Sequence, residues 1–302
     1  MEINKTPIAF SFNDKFTIPA GVCITSLLTN AFPDTYYDIF IMHSSERLSP
    51  SNKSQILKLK ESYKNCDFTF IDLKDSFKGM FEIRDISIDA YYRLAIPKYV
   101  TNYDRIIYVD IDVVFNGDLS HLIDFDLEDN SIGAVKMPIV NQYHKKHLLS
   151  LKLDESNYIN SGFLLINLRK IREEDSFEKK IYPLLTKKFT FQDQDILNIV
   201  FQNDIKFLDE SYNYNYDILK YKKPNIKAPI VIHYTGPKPW DVIRSFNDLW
   251  WEYYRKSIYF DIDSYMDFQK KNYIELYDHY KVINFLKKLG IYNLMTKFMK
   301  NK

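Results

Sequence analysis

The chain has 302 residues, 41 basic and 40 acidic side chains, and a formal net charge of +1. That length accommodates one large α/β domain, or one domain with a helical appendage, and the charge balance excludes the broad basic field of a nucleic-acid binder. No uninterrupted apolar run approaches a membrane span. In chain order, the pattern predicts a first strand over residues 7–13 and a helix over 19–30, with a proline near its start. A second strand follows at 37–43, an amphipathic helix at 49–63 and a third strand at 67–73. A helix around 88–96 leads into Arg105–Val109, whose short apolar run suits a central parallel strand covered on both faces. Residues 131–137 continue the sheet, and the polar stretch 138–157 reads as an irregular, mobile loop over a site. Residues 161–167 form another strand, helices occupy 169–187 and 193–202, and 229–234 is the last strand. From residue 264 onward the pattern is helical. Strands alternating with helices predict an α/β, doubly wound, mostly parallel sheet with flanking helices. We therefore expect one α/β domain over 1–260 and a C-terminal helical extension over 261–302.

Cys23 and Cys66 have neither metal spacing nor a C-x-x-C pattern, and read as buried thiols of a reduced compartment. The segment Met1-Glu-Ile-Asn-Lys-Thr-Pro7 lacks the apolar stretch of a signal peptide, so a cytoplasmic protein is expected.

The strand 105–109 runs straight into Asp110-Ile-Asp112. In extended backbone, residues i and i+2 point the same way, so Asp110 and Asp112 converge. Open α/β sheets hold ligands at the carboxyl ends of such strands, and two hard oxygen ligands there suit a divalent cation that in turn holds a diphosphate. Alone, a D-x-D is more often a capped strand end with solvated acids. Four further segments change that balance. Arg84-Asp-Ile-Ser-Ile-Asp-Ala-Tyr-Tyr-Arg-Leu-Ala-Ile-Pro97 precedes the pair. Tyr158-Ile-Asn-Ser-Gly-Phe-Leu-Leu-Ile-Asn-Leu168, Gln192-Asp-Gln-Asp-Ile-Leu-Asn198 and His233-Tyr-Thr-Gly-Pro-Lys-Pro-Trp240 follow it.

In this order and at these separations the five segments resemble glycosyltransferase family 8, the family of bacterial lipopolysaccharide galactosyl- and glucosyltransferases and of glycogenin, over roughly residues 7–255. The resemblance implies a GT-A fold and a metal-dependent, retaining transfer. A hexose, galactose or glucose, would move from a UDP-sugar to a hydroxyl of a glycan, lipid-linked or glycoprotein acceptor. Asp110 and Asp112 match the family's metal-binding D-x-D and His233 its third protein ligand. With two phosphate oxygens and room for water these would give an octahedral shell, and the imidazole favours Mn²⁺, with Mg²⁺ the alternative. Ile111, between the two acids, belongs to the same donor-binding turn. Lys238 matches a phosphate-contacting lysine, and Gly236 would let backbone approach the diphosphate. Arg93 matches an arginine at the donor sugar. Asn160 and Ser161 match a donor-touching Asn-small pair. Asp193 and Gln194 match the residues at the sugar hydroxyls and the reacting face of the anomeric carbon.

Each assignment has a plainer competitor. His233 alone would more often be a hydrogen-bonded structural histidine, and Lys238 an exposed residue of a Pro-rich turn. Arg93 inside a largely apolar helix needs an anion, and an ion pair with Asp89 or with an acid near the metal would serve. Acids at 193 and 195 also suit a helix N-terminus; Asp195 in particular reads as a capping or structural member, and Trp240 as packing. The chain departs from the family pattern at three places. Asn13 stands where an aspartate usually meets the uracil edge, although its amide oxygen can still accept the uracil N–H. The His233–Lys238 segment is one residue shorter than the longer family form. No aspartate follows near Met137, which suggests an acceptor other than that of the lipopolysaccharide galactosyltransferases.

Two rival readings remain. A nucleotidyltransferase or sugar-nucleotide hydrolase would cleave at phosphorus, but no Gly-rich phosphate loop lies near the first strand. A silent sugar-nucleotide-binding module would be expected to lose the metal ligands or the Asp-Gln pair, and both are present. Finally, 281–302 carries Lys281, Lys287, Lys288, Lys297, Lys300 and Lys302 and no acid. Val282, Leu286 and Leu289 form one helical apolar stripe, and Ile291, Leu294, Met295 and Phe298 another after Gly290. Such a tail either lies on an anionic membrane, at the inner face of the plasma membrane, or packs on the domain.

Overall fold

The computed structural model describes residues 5–82, 87–139, 141–174, 176–215, 218, 229–242 and 247–292. Seven strands form the main sheet: β1 (Lys5–Ser11), β2 (Tyr36–His43), β3 (Cys66–Asp72), β4 (Arg105–Val109), β6 (Ile132–Lys136), β7 (Ile159–Asn167) and β8 (Ile205–Phe207). Their order is β3-β2-β1-β4-β7-β6-β8. The β3-β2-β1-β4 half is parallel, as the alternation of strands and helices predicts. β7 runs against both β4 and β6, so the sheet is mixed rather than wholly parallel. A second small sheet, outside the sequence expectation, joins β5 (Val113–Phe115), β10 (Val231–His233) and β9 (Tyr214–Asn215).

Burial explains the central strands. Ile106, Ile107, Tyr108 and Val109 are all fully buried, because helices pack against both faces of the sheet. One apolar cluster on one side takes in Ile8, Phe10, Ile24, Ile107 and Phe163. Another, on the opposite side, takes in Ala9, Tyr108, Leu164 and Ile196. The alternation of Ile8, Ala9 and Phe10 between the two clusters is the period-2 pleat acting in a strand buried on both faces.

Helices Thr17–Thr29, Pro50–Leu57, Leu168–Glu173, Phe177–Leu185 and Gln192–Val200 fall where expected, with the predicted helix at 49–63 interrupted after Leu57 and that at 169–187 divided in two. The segment Ile88–Ala95 is a 3-10 helix rather than an α-helix. The stretch 138–157 differs more: it holds the helix Gln142–Ser150, whose N-terminus is capped by Asn141 accepting from His144 N. Leu148 is its single buried residue, so its apolar periodicity is too faint to read locally. Helix Asn247–Lys256 packs Trp250, Trp251 and Tyr254 into a third cluster with Val114 and Ile232. The last described helix, Ile262–Lys288, leans on it through Phe268, whose ring centroid lies 4.2 Å from that of Trp251.

Candidate active site

The site forms where strand order changes direction, between β1 and its neighbour β4, at their carboxyl ends; this is the crevice that open α/β sheets reserve for ligands. Asp110 leaves β4 and donates its backbone N–H to the Gly162 carbonyl at 2.9 Å. Because β7 is antiparallel, its beginning rather than its end lies here, and Asn160 and Ser161 arrive beside Asp110. The small sheet supplies the rest. Val113 pairs with His233 across β5 and β10, and Tyr234 N donates to the Asp112 carbonyl at 2.8 Å.

Three ligand-type side chains therefore converge. Asp110, Asp112 and His233 each offer an atom within 4.8 Å of the others, with His233 Nε2 3.2 Å from Asp112 Oδ1 and 4.0 Å from Asp110 Oδ2. His233 Nδ1 faces Asn213 Oδ1 at 2.8 Å, which fixes the ring and leaves Nε2 for the acids, as in metal sites whose histidines are oriented from behind. Lys238 forms an ion pair with Asp112 Oδ2 and donates to the Tyr234 carbonyl at 3.2 Å. Burial works to raise the Asp112 pKa, but the Lys238 and His233 charges hold it well below the ordinary carboxylate range. Burial opposes the Lys238 charge, and Asp112 more than restores it. Gly162 makes this proximity achievable: a Cβ there would lie 2.3 Å from His233 Cε1 and 2.8 Å from Asp110 Oδ2. Two carboxylates and an imidazole, held together by a residue that leaves them room, fit a divalent cation.

Arg93 ties this cluster to the next. Its Nη2 donates to Asp110 Oδ1 at 2.8 Å, its Nη1 to the Ser161 carbonyl at 2.6 Å, and its Nε lies 3.0 Å from Asp193 Oδ2. The guanidinium also sits over the Tyr108 ring, 4.5 Å from its centroid. Burial works against the Arg93 charge, and the two carboxylates outweigh it. Of the two anion sources considered from sequence, the acids of the site are the partners. Asp89 is not, because Arg47 takes it through Nε and Nη2 at 3.1 and 3.0 Å. Burial pushes the Asp193 pKa up to about 6, with Arg93 pulling it down and Asp110 adding to the rise.

Gln194 lies on the same wall. Its Oε1 accepts from Asn160 Nδ2 at 3.1 Å and from Ser161 N at 3.2 Å. The preceding Gln192 holds a left-handed backbone, φ +43°, a strained conformation for a residue with a Cβ. Asn198 anchors the helix with a two-way hydrogen-bonded contact to the Ile159 backbone. Asp195 caps its start, Oδ2 accepting from Phe191 N at 2.9 Å.

The remaining predicted residues lie around this centre. Asn13 follows β1, donates to Asp89 through Nδ2 and accepts from Lys15 N. Ile111 is buried between the two acids. Gly236 has φ +80° with open space where a Cβ would stand. Arg84 lies outside the described residues. Sequence reasoning missed Gly162, Asn213, Tyr108 and the Arg47–Asp89 pair. Gly162 carried a signal, since glycine inside a strand marks a close approach; Asn213 carried none.

The family model of glycosyl transferase family 8 matches residues 7–244. The chain is 26% identical over 253 residues to the lipopolysaccharide 1,3-galactosyltransferase of Salmonella typhimurium, covering 79% of this chain and 74% of that protein. It is 26% identical over 260 residues to the lipopolysaccharide glucosyltransferase WaaO of Escherichia coli, covering 82% and 74%. The crystal structure of the galactosyltransferase LgtC with donor and acceptor sugar analogues superposes with a TM-score of 0.68 at 26% identity, over 85% of this chain and 98% of that one. Sheet and helices thus share the α/β architecture of GT-A glycosyltransferases such as LgtC, and the chain belongs to glycosyl transferase family 8.

Proposed function

We propose that this chain is a retaining, metal-dependent hexosyltransferase that moves galactose or glucose from a UDP-sugar to a hydroxyl of a glycan, lipid-linked or glycoprotein acceptor. The convergence of Asp110, Asp112 and His233 beside the Arg93–Asp193 pair carries this reading. Asp110, Asp112 and His233 would hold Mn²⁺ or Mg²⁺, which when bound would offset the diphosphate charge as UDP departs. Lys238 adds a second positive charge on that side, and Gly236 leaves the backbone open to the phosphates. Asn13 and Ile111 belong to the nucleotide end. Arg93, Asn160, Ser161 and Asp193 line the sugar end, where Gln194, its amide oxygen held by Asn160 and Ser161, would stand at the reacting face. The opposed charges of Arg93 and Asp193 keep the sugar pocket polar yet nearly neutral, which suits hydroxyl recognition.

Retention follows from attack on the same face that the leaving phosphate vacates, with that phosphate taking the acceptor proton. The lipopolysaccharide relatives support a glycan acceptor. Residues 1–260 would then be the catalytic domain, working in the cytoplasm, with 261–302 an extension that brings it to the inner face of the membrane. Incubation with Mn²⁺ and a panel of nucleotide sugars, followed by measurement of freed nucleotide, identifies the donor through its slow hydrolysis. Release of sugar phosphate instead of UDP would point to cleavage at phosphorus and overturn the transferase reading. Proton NMR of the glycoside formed should show an α-anomer; a β-linked product would remove retention.

A further inference from the structure

Gln194 is held at its far side by a hydrogen-bonded chain that leads out of the site. Gln194 Nε2 lies 3.1 Å from Tyr158 Oη. Tyr158 Oη donates to Asp195 Oδ1 at 2.6 Å, and His147 Nε2 lies 2.9 Å from Asp195 Oδ2. Asp195 is fully buried, and Phe191 N also donates to Oδ2. The direction of each bond follows from Asp195, whose oxygens accept from Tyr158 Oη and Phe191 N. A buried carboxylate only accepts, so Tyr158 must give it its proton and His147 must carry hydrogen on Nε2. The Tyr158 oxygen is then left as an acceptor, and Gln194 must turn its NH₂ toward it. The amide oxygen faces Asn160 and Ser161 and accepts from both, and the Ser161 backbone N–H, which can only donate, requires the same orientation.

We propose that His147, Asp195 and Tyr158 are positioning residues that, together with the Ser161 N–H, hold the Gln194 amide in this one orientation and place at the donor-sugar wall. The helix Gln142–Ser150 thereby belongs to the working site through His147, although nothing in its sequence pattern marks it. This rests on the proposed role of Gln194 at the sugar, and the test separates the two.

His147 also contributes a ring, edge-on to Phe191 with centroids 5.3 Å apart. Two substitutions divide its functions. His147→Phe keeps a ring and loses the donor; His147→Gln keeps a donor and loses the ring. UDP release from UDP-galactose and UDP-glucose with Mn²⁺ would be followed for the full chain, both variants, Tyr158→Phe and Gln194→Ala, with calorimetry of UDP binding for each. We expect His147→Phe and Tyr158→Phe to lower kcat about tenfold, the loss of one oriented hydrogen bond at a reacting centre. KM and UDP affinity should hold, and His147→Gln should stay within about twofold of the parent. The reverse pattern, Phe silent and Gln damaging, would make His147 a packing residue and overturn the proposal while leaving Gln194 its role. A Gln194→Ala variant with the parent rate would remove that role itself, and with it anything for the chain to position.

Discussion

The carboxyl end of the sheet and the C-terminal helix break the ordinary burial pattern in opposite directions. At the sheet end, Arg93, Asp112, Asp193 and His233 are charged or polar and buried. Along the helix Ile262–Lys288, Met266, Tyr273, Ile274, Tyr277, Tyr280 and Phe285 are apolar or aromatic and exposed, Tyr273 by 70%. Buried charge is tolerated only when neighbours compensate it, and at the sheet end every one of these side chains has an oppositely charged or hydrogen-bonding neighbour within the site. Exposed apolar surface has no such local remedy. The first region is complete in itself and acts through fields fixed in advance; the second gains only from something brought to it.

The strongest way to break the first half of this contrast is to remove the ligand charges. Asp112→Asn keeps the shape of the side chain but should lower UDP release about a thousandfold, the scale at which oriented charge acts on a departing anion. His233→Ala and EDTA treatment should act similarly, with Mn²⁺ restoring the treated parent. Normal turnover in chelator would remove the metal assignment. Arg93→Met tests compensation itself. It leaves Asp110 and Asp193 facing each other without their shared cation, and should cost about 3–5 kcal/mol of stability in urea unfolding. A loss below about 1 kcal/mol, the range of an exposed pair, would show that the two acids do not depend on it.

Gly162→Ala sharpens the geometry. The added methyl must part His233 from Asp110, so Mn²⁺ affinity by calorimetry should fall about ten- to a hundredfold, as when the groups that orient metal ligands are disturbed. Unchanged affinity would mean that the ligands need no such closeness.

The contrast also separates what could be read from the chain. Strand Arg105–Val109 was legible to the residue because its apolar run and the acids after it are local facts. Asp110, Asp112, Arg93, Asp193 and Gln194 could be named from their segments, and the convergence of the first two from the strand period, yet the meeting of all of them with Ser161 and His233 could not. It depends on β7 running backward, which delivers Ser161 to Arg93, and on a small sheet that sets His233 opposite Val113. Both are pairings between residues over fifty positions apart, and a strand's own sequence does not name its neighbour's direction. Asn13 shows the same limit in miniature. Its place after β1 was legible, whereas its bond to Asp89, and the hold of Arg47 on that acid, were not.

The smallest expected effect on chemistry belongs to the C-terminal helix, and it is the one that tests the second half of the contrast. Phe268 and Asn272 are its inward anchors near the start. Past Asn272, no described residue is buried. Val282 and Leu289, two members of the stripe expected from sequence, are each 54% exposed, while Leu294, Met295 and Phe298 of the second stripe lie outside the described residues. Lysines 281, 287 and 288 flank this surface. Apolar side chains entering the headgroup region, with each lysine near anionic lipid adding about 1 kcal/mol, give a short helix usable affinity. The full chain should therefore sediment with phosphatidylserine vesicles at low salt and be released as salt rises, since the charge contribution is screened over a Debye length. A chain ending at Tyr280 should stay in the supernatant, with Mn²⁺-dependent UDP release within about twofold of the parent because every site residue named here precedes the cut. If both chains remain in the supernatant, the exposed face has another use and the membrane assignment falls. If the shortened chain loses stability instead, residues 281–302 pack on the domain.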